Sequence, residues 1–421
     1  MKSSKAIILS LAVFLILSTI IIAKNQIISL ATKYLPPQVK AVIKLMISQN
    51  DGNQRLSNDY NDKFLPETQF IKLNFKRLKF DLFSDAEVGY YQKLKKSNLA
   101  YKSFYIDIFD SSSLIITDTF GNSYIIEDLK DKSFSQDKLK PIKNNIRPTK
   151  VLDTYIYKNE IFISYIDTRN NCRNFVISKA KINQKDLNYK EFFRDKLCAN
   201  FIQGGRMQTV VLENNLGLIF SVADNILDEP RDDPQNDSSN FGKLMFKEFN
   251  SGKTQIYSKG HRNPQGLIVF DSTILSTEHG PRGGDEINKI EYKINYGWPI
   301  SSYGKPYSTK NNYEQSHNKN NFKEPIFSFT PSIGIGEIIK LPNSFNKSWQ
   351  DNFIVASLNK RSLFRIKFDS QYSKIIYFEE IYIGQRIRDI KFYKNNILLA
   401  LEGKGELGIL SNHEWYFRVS R

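Results

Sequence analysis

The stretch SLIITDTFGNSYII, Ser113 to Ile126, decides the fold class. Two runs rich in β-branched and aromatic residues flank a turn near Gly121-Asn122, the pattern of a β-hairpin. TYIYKNEIFISYI, Thr154 to Ile166, repeats it around Lys158-Asn159. VVLENNLGLIFSVAD (210–224), GLIVFDSTILSTE (266–278), NFIVASLNKRSLFRIKF (352–368) and DIKFYKNNILLALEGKGELGIL (389–410) follow. From about residue 100 no long stretch carries apolar residues at helical spacing, so the chain reads as all-β. Hairpins recurring at roughly 40 to 60 residues are what small antiparallel sheets give when each stacks against its neighbours. The regular succession predicts a β-propeller over residues 61–415 and disfavours a sandwich with long insertions.

The composition agrees. With 421 residues, 40% of them hydrophobic and 13% aromatic, the chain is neither disordered nor a small disulfide-stapled module. Lys plus Arg number 60 against 44 Asp plus Glu, a formal charge of +16. The excess is mostly Lys scattered among Asn, Ile, Tyr and Phe, without the concentrated basic stripe that phosphate tracking needs, so nucleic acid is excluded as a partner.

At the N-terminus Lys2 and Lys5 precede an uncharged run, Ala6 to Ala23, nearly long enough as a helix to cross a hydrocarbon core. This is an export signal. Ile21 stands where cleavage requires a small side chain, which favours an uncleaved signal anchor over residues 1–23. The rest of the chain then faces the periplasm from the inner membrane, with residues 24–60 as stalk and linker. Cys172 and Cys198 are the two cysteines, without a CxxC pair or Cys/His cluster. In an oxidising compartment they either pair, closing a loop worth about 3 kcal/mol, or stay as buried thiols.

Three segments stand out from the Lys/Asn background: GHRNPQG (260–266), EHGPRGGDEIN with NYGWP (278–288 and 295–299), and GQRIRD (384–389). Gly and Pro shape tight loops, while Arg, Asn, Asp and Glu supply donors and acceptors at the mouth of a scaffold. Arg386 and Arg388, two apart on an extended strand, leave the same face and suit a ligand with several carboxylates. Arg262 and Asn263 add a cation and an amide where the loops converge. Gly280 and Pro281 offer carbonyls, oxygen donors of the kind Ca²⁺ accepts. The structural alternative is that the arginines pair with Asp389, Asp285 and Glu286 and hold loops together.

In this order and spacing, the segments resemble the glucose/sorbosone dehydrogenase family, soluble quinoproteins that include the aldose sugar dehydrogenases. The resemblance covers about residues 200 to 410 and is weak before 190. It implies a six-bladed β-propeller holding pyrroloquinoline quinone (PQQ) at one end of its channel, with Ca²⁺ polarising the quinone. A sugar or aldehyde substrate would be oxidised by hydride transfer from C1, with electrons passing to a quinone or cytochrome acceptor. Arg262, Asn263, Arg386 and Arg388 would hold the cofactor, and Gly280 and Pro281 the metal.

Two positions depart from the pattern. The residue matching the family's His base, before Gly204-Gly205-Arg206, is Ile202, which cannot accept a proton. In SLNKRSLFRI the position for a cofactor-facing Lys is Asn359, and Lys360 points to the opposite face. These losses raise the alternative of a catalytically degenerate propeller binding a glycan or protein at the cell envelope. Of the four histidines, His261 and His279 read as structural groups, and His317 and His413 lie outside the motifs. Asp224 is a candidate acid near the channel mouth, and Trp298 and Trp349 read as packing anchors.

Overall fold

A computed structural model describes residues 72–79, 103–127, 139–182, 185–199, 203–225, 233–307, 312–403 and 405–413. The signal anchor expected over 1–23 and the stalk over 24–60 lie outside these residues. Among the described residues, no helix is long and apolar enough to cross a membrane.

Six antiparallel sheets stand around one axis as a six-bladed β-propeller. Blade 1 is built from residues 104–144 with a short parallel addition at Asp186–Leu187, blade 2 from 150–194 and blade 3 from 204–259. Blade 4 spans 264–329 and blade 5 spans 335–382. Blade 6 joins both ends of the described chain: Lys72–Lys79 pairs antiparallel with Glu406–His413, beside the hairpin of Arg386–Tyr393 and Asn396–Glu402. The expected hairpins are present, turning where Gly121 and Lys158 take positive φ of 89° and 53°.

Because each blade lies between two others, its middle strands are covered on both faces. Ser113–Asp118 and Asn352–Ser357 are buried at every position, which explains why they read as continuous apolar runs rather than alternating ones. The buried apolar side chains gather in six clusters, one in each gap between blades. Each fully buried Ile, Leu or Phe there contributes about 1.5–3 kcal/mol. The outer strand Ile375–Tyr382 is mostly half-exposed. Cys172 and Cys198 form a disulfide between the third strand of blade 2 and the segment after its outer strand.

The inner strands of blades 2 to 6 each carry a register shift, between Val151 and Asp153, Gly204 and Met207, Pro264 and Gly266, Ile335 and Ile338, and Ile387 and Asp389. A bulge lets neighbouring residues face the same way. Arg388 thus lines the axial cavity while the adjacent Asp389 reaches into the channel. In blade 3 the bulge rests on Gly204 and Gly205, with φ of 80° and 91°. A Cβ on Gly205 would collide with Leu152 and Ser164, so this turn requires glycine.

Candidate active site

The inner strands begin around a cavity of about 220 Å³ on the axis. All six blades or their entry loops reach it: Tyr105 from blade 1, Lys150 and Leu152 from blade 2, and Gln203 and Gly204 at blade 3. Arg262, Asn263, Gln265, His279, Gly280 and Tyr307 come from blade 4 and its loops, Leu358 from blade 5, and Arg386 and Arg388 from blade 6. The wall therefore carries four basic side chains and several amides, and no Asp or Glu lines it among the described residues.

Arg386 and Arg388 share a face, as the strand reading expects, but their carboxylate partner is Glu402 rather than Asp389, Asp285 or Glu286. Arg386 Nε donates to Glu402 Oε1 at 2.8 Å, and Arg388 Nε donates to Oε2 at 2.6 Å. Burial acts to raise the Glu402 pKa, but the two guanidiniums outweigh it and bring the carboxyl down to about 2. The register of the hairpin accounts for this pair. Counting outward from the Lys394-Asn395 turn, with one bulge residue, sets Arg386 opposite Glu402. Arg388 Nη1 donates to Gln265 Oε1, Gln265 Nε2 to Asn263 Oδ1, and Asn263 Nδ2 to Gln203 Oε1. A chain of amides thus fixes the wall from blade 6 to blade 3.

Arg262 lies over the Trp298 ring, 5.3 Å from its centroid, and its Nη1 donates to the carbonyls of His279 and Gly280 at 3.1 and 2.7 Å. Its main-chain N–H bonds Glu278, which also accepts from buried His261. His261 is structural, as read, and so is His317, held by Ser301 and Glu286. His279 does border the cavity. Its Nε2 bonds the Ile335 carbonyl, which can only accept, so the ring proton sits there and Nδ1 keeps a lone pair. Burial lowers its pKa and keeps it neutral. Tyr105 stays a neutral phenol, pushed up to about 12 by burial.

Not every expected residue reaches the wall. Asp224 is fully buried and accepts from Trp298 Nε1 at 2.7 Å, an anchor rather than an acid at the mouth. Pro281 is buried outside the cavity lining, and Asn359 is exposed and absent from it. Ile202 lies outside the described residues. Lys150, Tyr105 and Tyr307 belong to no motif, and Leu358 is the neighbour of Asn359 in SLNKRSLFRI; sequence reading missed all four.

Below the cavity, Arg206 plugs the channel. Its guanidinium lies 2.9 Å from Asp153, 2.8 Å from Glu337 and 3.1 Å from Asp389, and it donates to the carbonyls of Gln265 and Arg388 at 2.7 and 2.9 Å. The Tyr105 ring centroid is 5.4 Å away. One side chain of blade 3 thus touches all five other blades. Beside it Lys391 lies 3.7 Å from Asp107. Burial pushes the Asp107 carboxyl up to about 7 against the pull of Lys391.

The native Asp107 therefore holds a proton between about pH 4 and 7 that the unfolded chain has released, and its contribution to stability falls as pH rises through that window. Asp107→Asn removes this slope. Melting curves at pH 5 and pH 8 are expected to show wild type losing more stability than the variant. Parallel losses would remove Asp107 as the source.

The residues present fit a compact polycarboxylate, since cations and amides line the cavity and no carboxylate stands among the described residues of its wall. They do not by themselves make a calcium site. Ca²⁺ takes six to eight oxygens, whereas Arg262 already occupies the Gly280 carbonyl and Pro281 lies outside the lining. The described residues contain no group of three His, Cys, Asp or Glu placed to hold a metal.

Comparison with known proteins gives a family, two curated relatives and two solved structures. The family model described as Glucose / Sorbosone dehydrogenase matches residues 149–410, more than half of the chain. The aldose sugar dehydrogenase YliI of Escherichia coli is 29% identical over 172 residues, 38% of this chain and 45% of that protein. Quinoprotein glucose dehydrogenase B of Acinetobacter calcoaceticus is also 29% identical, over 30% of this chain and 37% of that protein. The chain spans less than half the length of these curated relatives. In three dimensions it superposes on the soluble aldose sugar dehydrogenase of Escherichia coli in the apo-form with a TM-score of 0.65 at 19% identity, covering 81% of this chain and 100% of that one. The PQQ-bound aldose sugar dehydrogenase of Streptomyces coelicolor gives 0.55 at 15% identity, covering 82% and 100%. At these identities the likeness shows the fold.

Proposed function

The chain belongs to the glucose/sorbosone dehydrogenase family, and on that premise we propose that it is a PQQ-dependent oxidoreductase of aldoses or related aldehydes. The observation that carries this reading is the cation-lined axial wall, whose described residues include no carboxylate. Arg386 and Arg388, stiffened from behind by Glu402, bind cofactor carboxylates, and Arg262 and Asn263 contact the cofactor from blade 4. When bound, the quinone supplies the two-electron acceptor.

The protein's part is to orient the sugar C1–H toward that acceptor and to take the proton of the C1 hydroxyl as the hydride leaves. Ile202 cannot take it. Of the described wall residues, the neutral His279 imidazole is the ring able to accept it. No step is assigned to calcium: with Arg262 on the Gly280 carbonyl and Pro281 outside the lining, a Ca²⁺ ion in the loaded site would need its oxygens chiefly from the cofactor and water. Tethering by residues 1–23 with the propeller in the periplasm, and transfer of electrons to a quinone or cytochrome, complete the proposal. The disulfide supports the compartment, since such bonds persist in oxidising surroundings.

The test is calorimetric titration of the full chain with PQQ, with and without Ca²⁺, followed by reduction of an artificial acceptor in the presence of aldoses. Binding with turnover is the expected result. Binding without turnover on any aldose would favour the second reading, a degenerate propeller that recognises a glycan or protein, to which Ile202 points. Absence of binding at millimolar PQQ would retire the cofactor.

A further inference from the structure

Lys150 opens the inner strand of blade 2, Lys150–Tyr157, and belongs to no motif. Lys150 and Leu152, two residues apart, both line the cavity, as expected of side chains on one face of an extended strand. The other basic residues of the wall come from blade 4, with Arg262 in its entry loop, and from blade 6, with Arg386 and Arg388. The positive charges therefore stand on alternate blades, a third of a turn apart around the axis. The odd-numbered blades interpose the neutral residues Tyr105, Gln203 and Leu358. A flat ligand with carboxylates distributed around its rim meets a cation in each of three directions only because blade 2 contributes one.

Position 359 cannot provide that third direction. Asn359 is neutral and exposed, its side-chain amide lies 3.5 Å from the Ser332 carbonyl, and the cavity is bordered by Leu358 instead. Without Lys150, the described residues on the side of the cavity toward blades 1 to 3 would be Tyr105, Leu152, Gln203 and Gly204, none of them charged.

We propose that Lys150 is a cofactor-binding residue whose ammonium pairs with a carboxylate of the polycarboxylate ligand, supplying from blade 2 the cation absent at position 359. The proposal rests on the cofactor reading given above. It makes Lys150 a point charge on a flexible stem, which needs no fixed fork geometry and tolerates exchange for arginine.

The experiment is titration of the full chain with PQQ at several NaCl concentrations, using wild type, Lys150→Met, Lys150→Arg and Lys150→Met with Asn359→Lys. Lys150→Met is expected to weaken binding about ten- to a hundredfold. It should also flatten the dependence of affinity on salt, while Lys150→Arg stays within about threefold of wild type. Methionine keeps the length and apolar stem of lysine, so the variant should fold and its melting temperature should move little beside the change in affinity. A purely structural role for Lys150 would shift the melting temperature and leave the salt dependence unchanged, overturning the proposal. Equal affinity and salt dependence in wild type and Lys150→Met would overturn it while leaving the cofactor reading intact. Recovery of affinity in the double variant would support the exchange of one cation position for the other. A wild-type protein that binds no PQQ would remove the cofactor reading, and this assignment with it.

Discussion

Replacing Arg386 and Arg388 together by alanine is expected to weaken PQQ binding at least a hundredfold and to destabilise the propeller as well. Each guanidinium makes charge-assisted contacts of about 1.5–3 kcal/mol, so the loss of two exceeds the range over which a small ligand can re-seat. The same change strips both cations from Glu402, whose side chain is 1% exposed, and leaves it the Ser103 hydroxyl at 3.4 Å. Breaking a buried pair by removing the cations costs about 3–5 kcal/mol, because the stranded carboxylate must either stay charged in a poor environment or take a proton. In wild type the low Glu402 pKa contributes stability that is fully present above about pH 4.5 and lost as pH falls toward 2. In the variant burial acts unopposed and stability instead falls as pH rises. Adding Glu402→Gln separates the effects. Chemical denaturation of the triple variant should recover most of the stability, while its titration with PQQ stays flat. Recovery of both would mean that the arginines serve the fold alone.

Arg206→Met is expected to be the most damaging single change in the molecule, costing about 3–5 kcal/mol in denaturant unfolding. It removes the cation that Asp153, Glu337 and Asp389 surround and the donor that holds the Gln265 and Arg388 carbonyls. Burial pushes Asp153 and Glu337 upward even with Arg206 in place. Without it they bind protons more readily in the native state than in the unfolded chain, so the deficit of the variant grows with pH. A melting-temperature difference from wild type that is larger at pH 8 than at pH 5 checks the sign. Lysine at this position should recover part of the loss, having the charge without the planar fork. An unchanged melting temperature in Arg206→Met would show that the channel plug does not carry the fold.

Much of this molecule was legible from local pattern. Hairpins announce themselves by turns such as Lys394-Asn395, whose two residues take φ of 45° and 60°. The clustering of Arg262, Asn263, Arg386 and Arg388 followed from loops that converge in any propeller. What stayed hidden depends on register and on neighbours far away in sequence. Glu402 needed the bulge after Ile387 to be known before it could be placed opposite Arg386. Lys150 sits in a stretch, RPTKVLDTYIY, whose other features report only a buried strand. Its entry into the cavity depends on where blade 2 meets the axis, which no local pattern encodes. Asp224 misled for the complementary reason: an acid at a strand end looks available until Trp298, 74 residues away, is seen to bond it.

The closure of blade 6 has a kinetic consequence. Its fourth strand, Lys72–Lys79, pairs with Glu406–His413, so the first described strand finds its place only after the last has been made. During synthesis from the N-terminus, blades 1 to 5 can assemble as an open arc while residues 72–79 wait as an unsatisfied edge, the kind of surface that recruits other chains. Ring completion brings together the two ends of the described chain, a contact whose loop entropy must be met before it returns any stability. The slow step of folding is therefore expected to be the docking of this strand. A synthetic peptide of residues 72–79 added during refolding should compete for the Glu406–His413 edge and trap the arc before it closes.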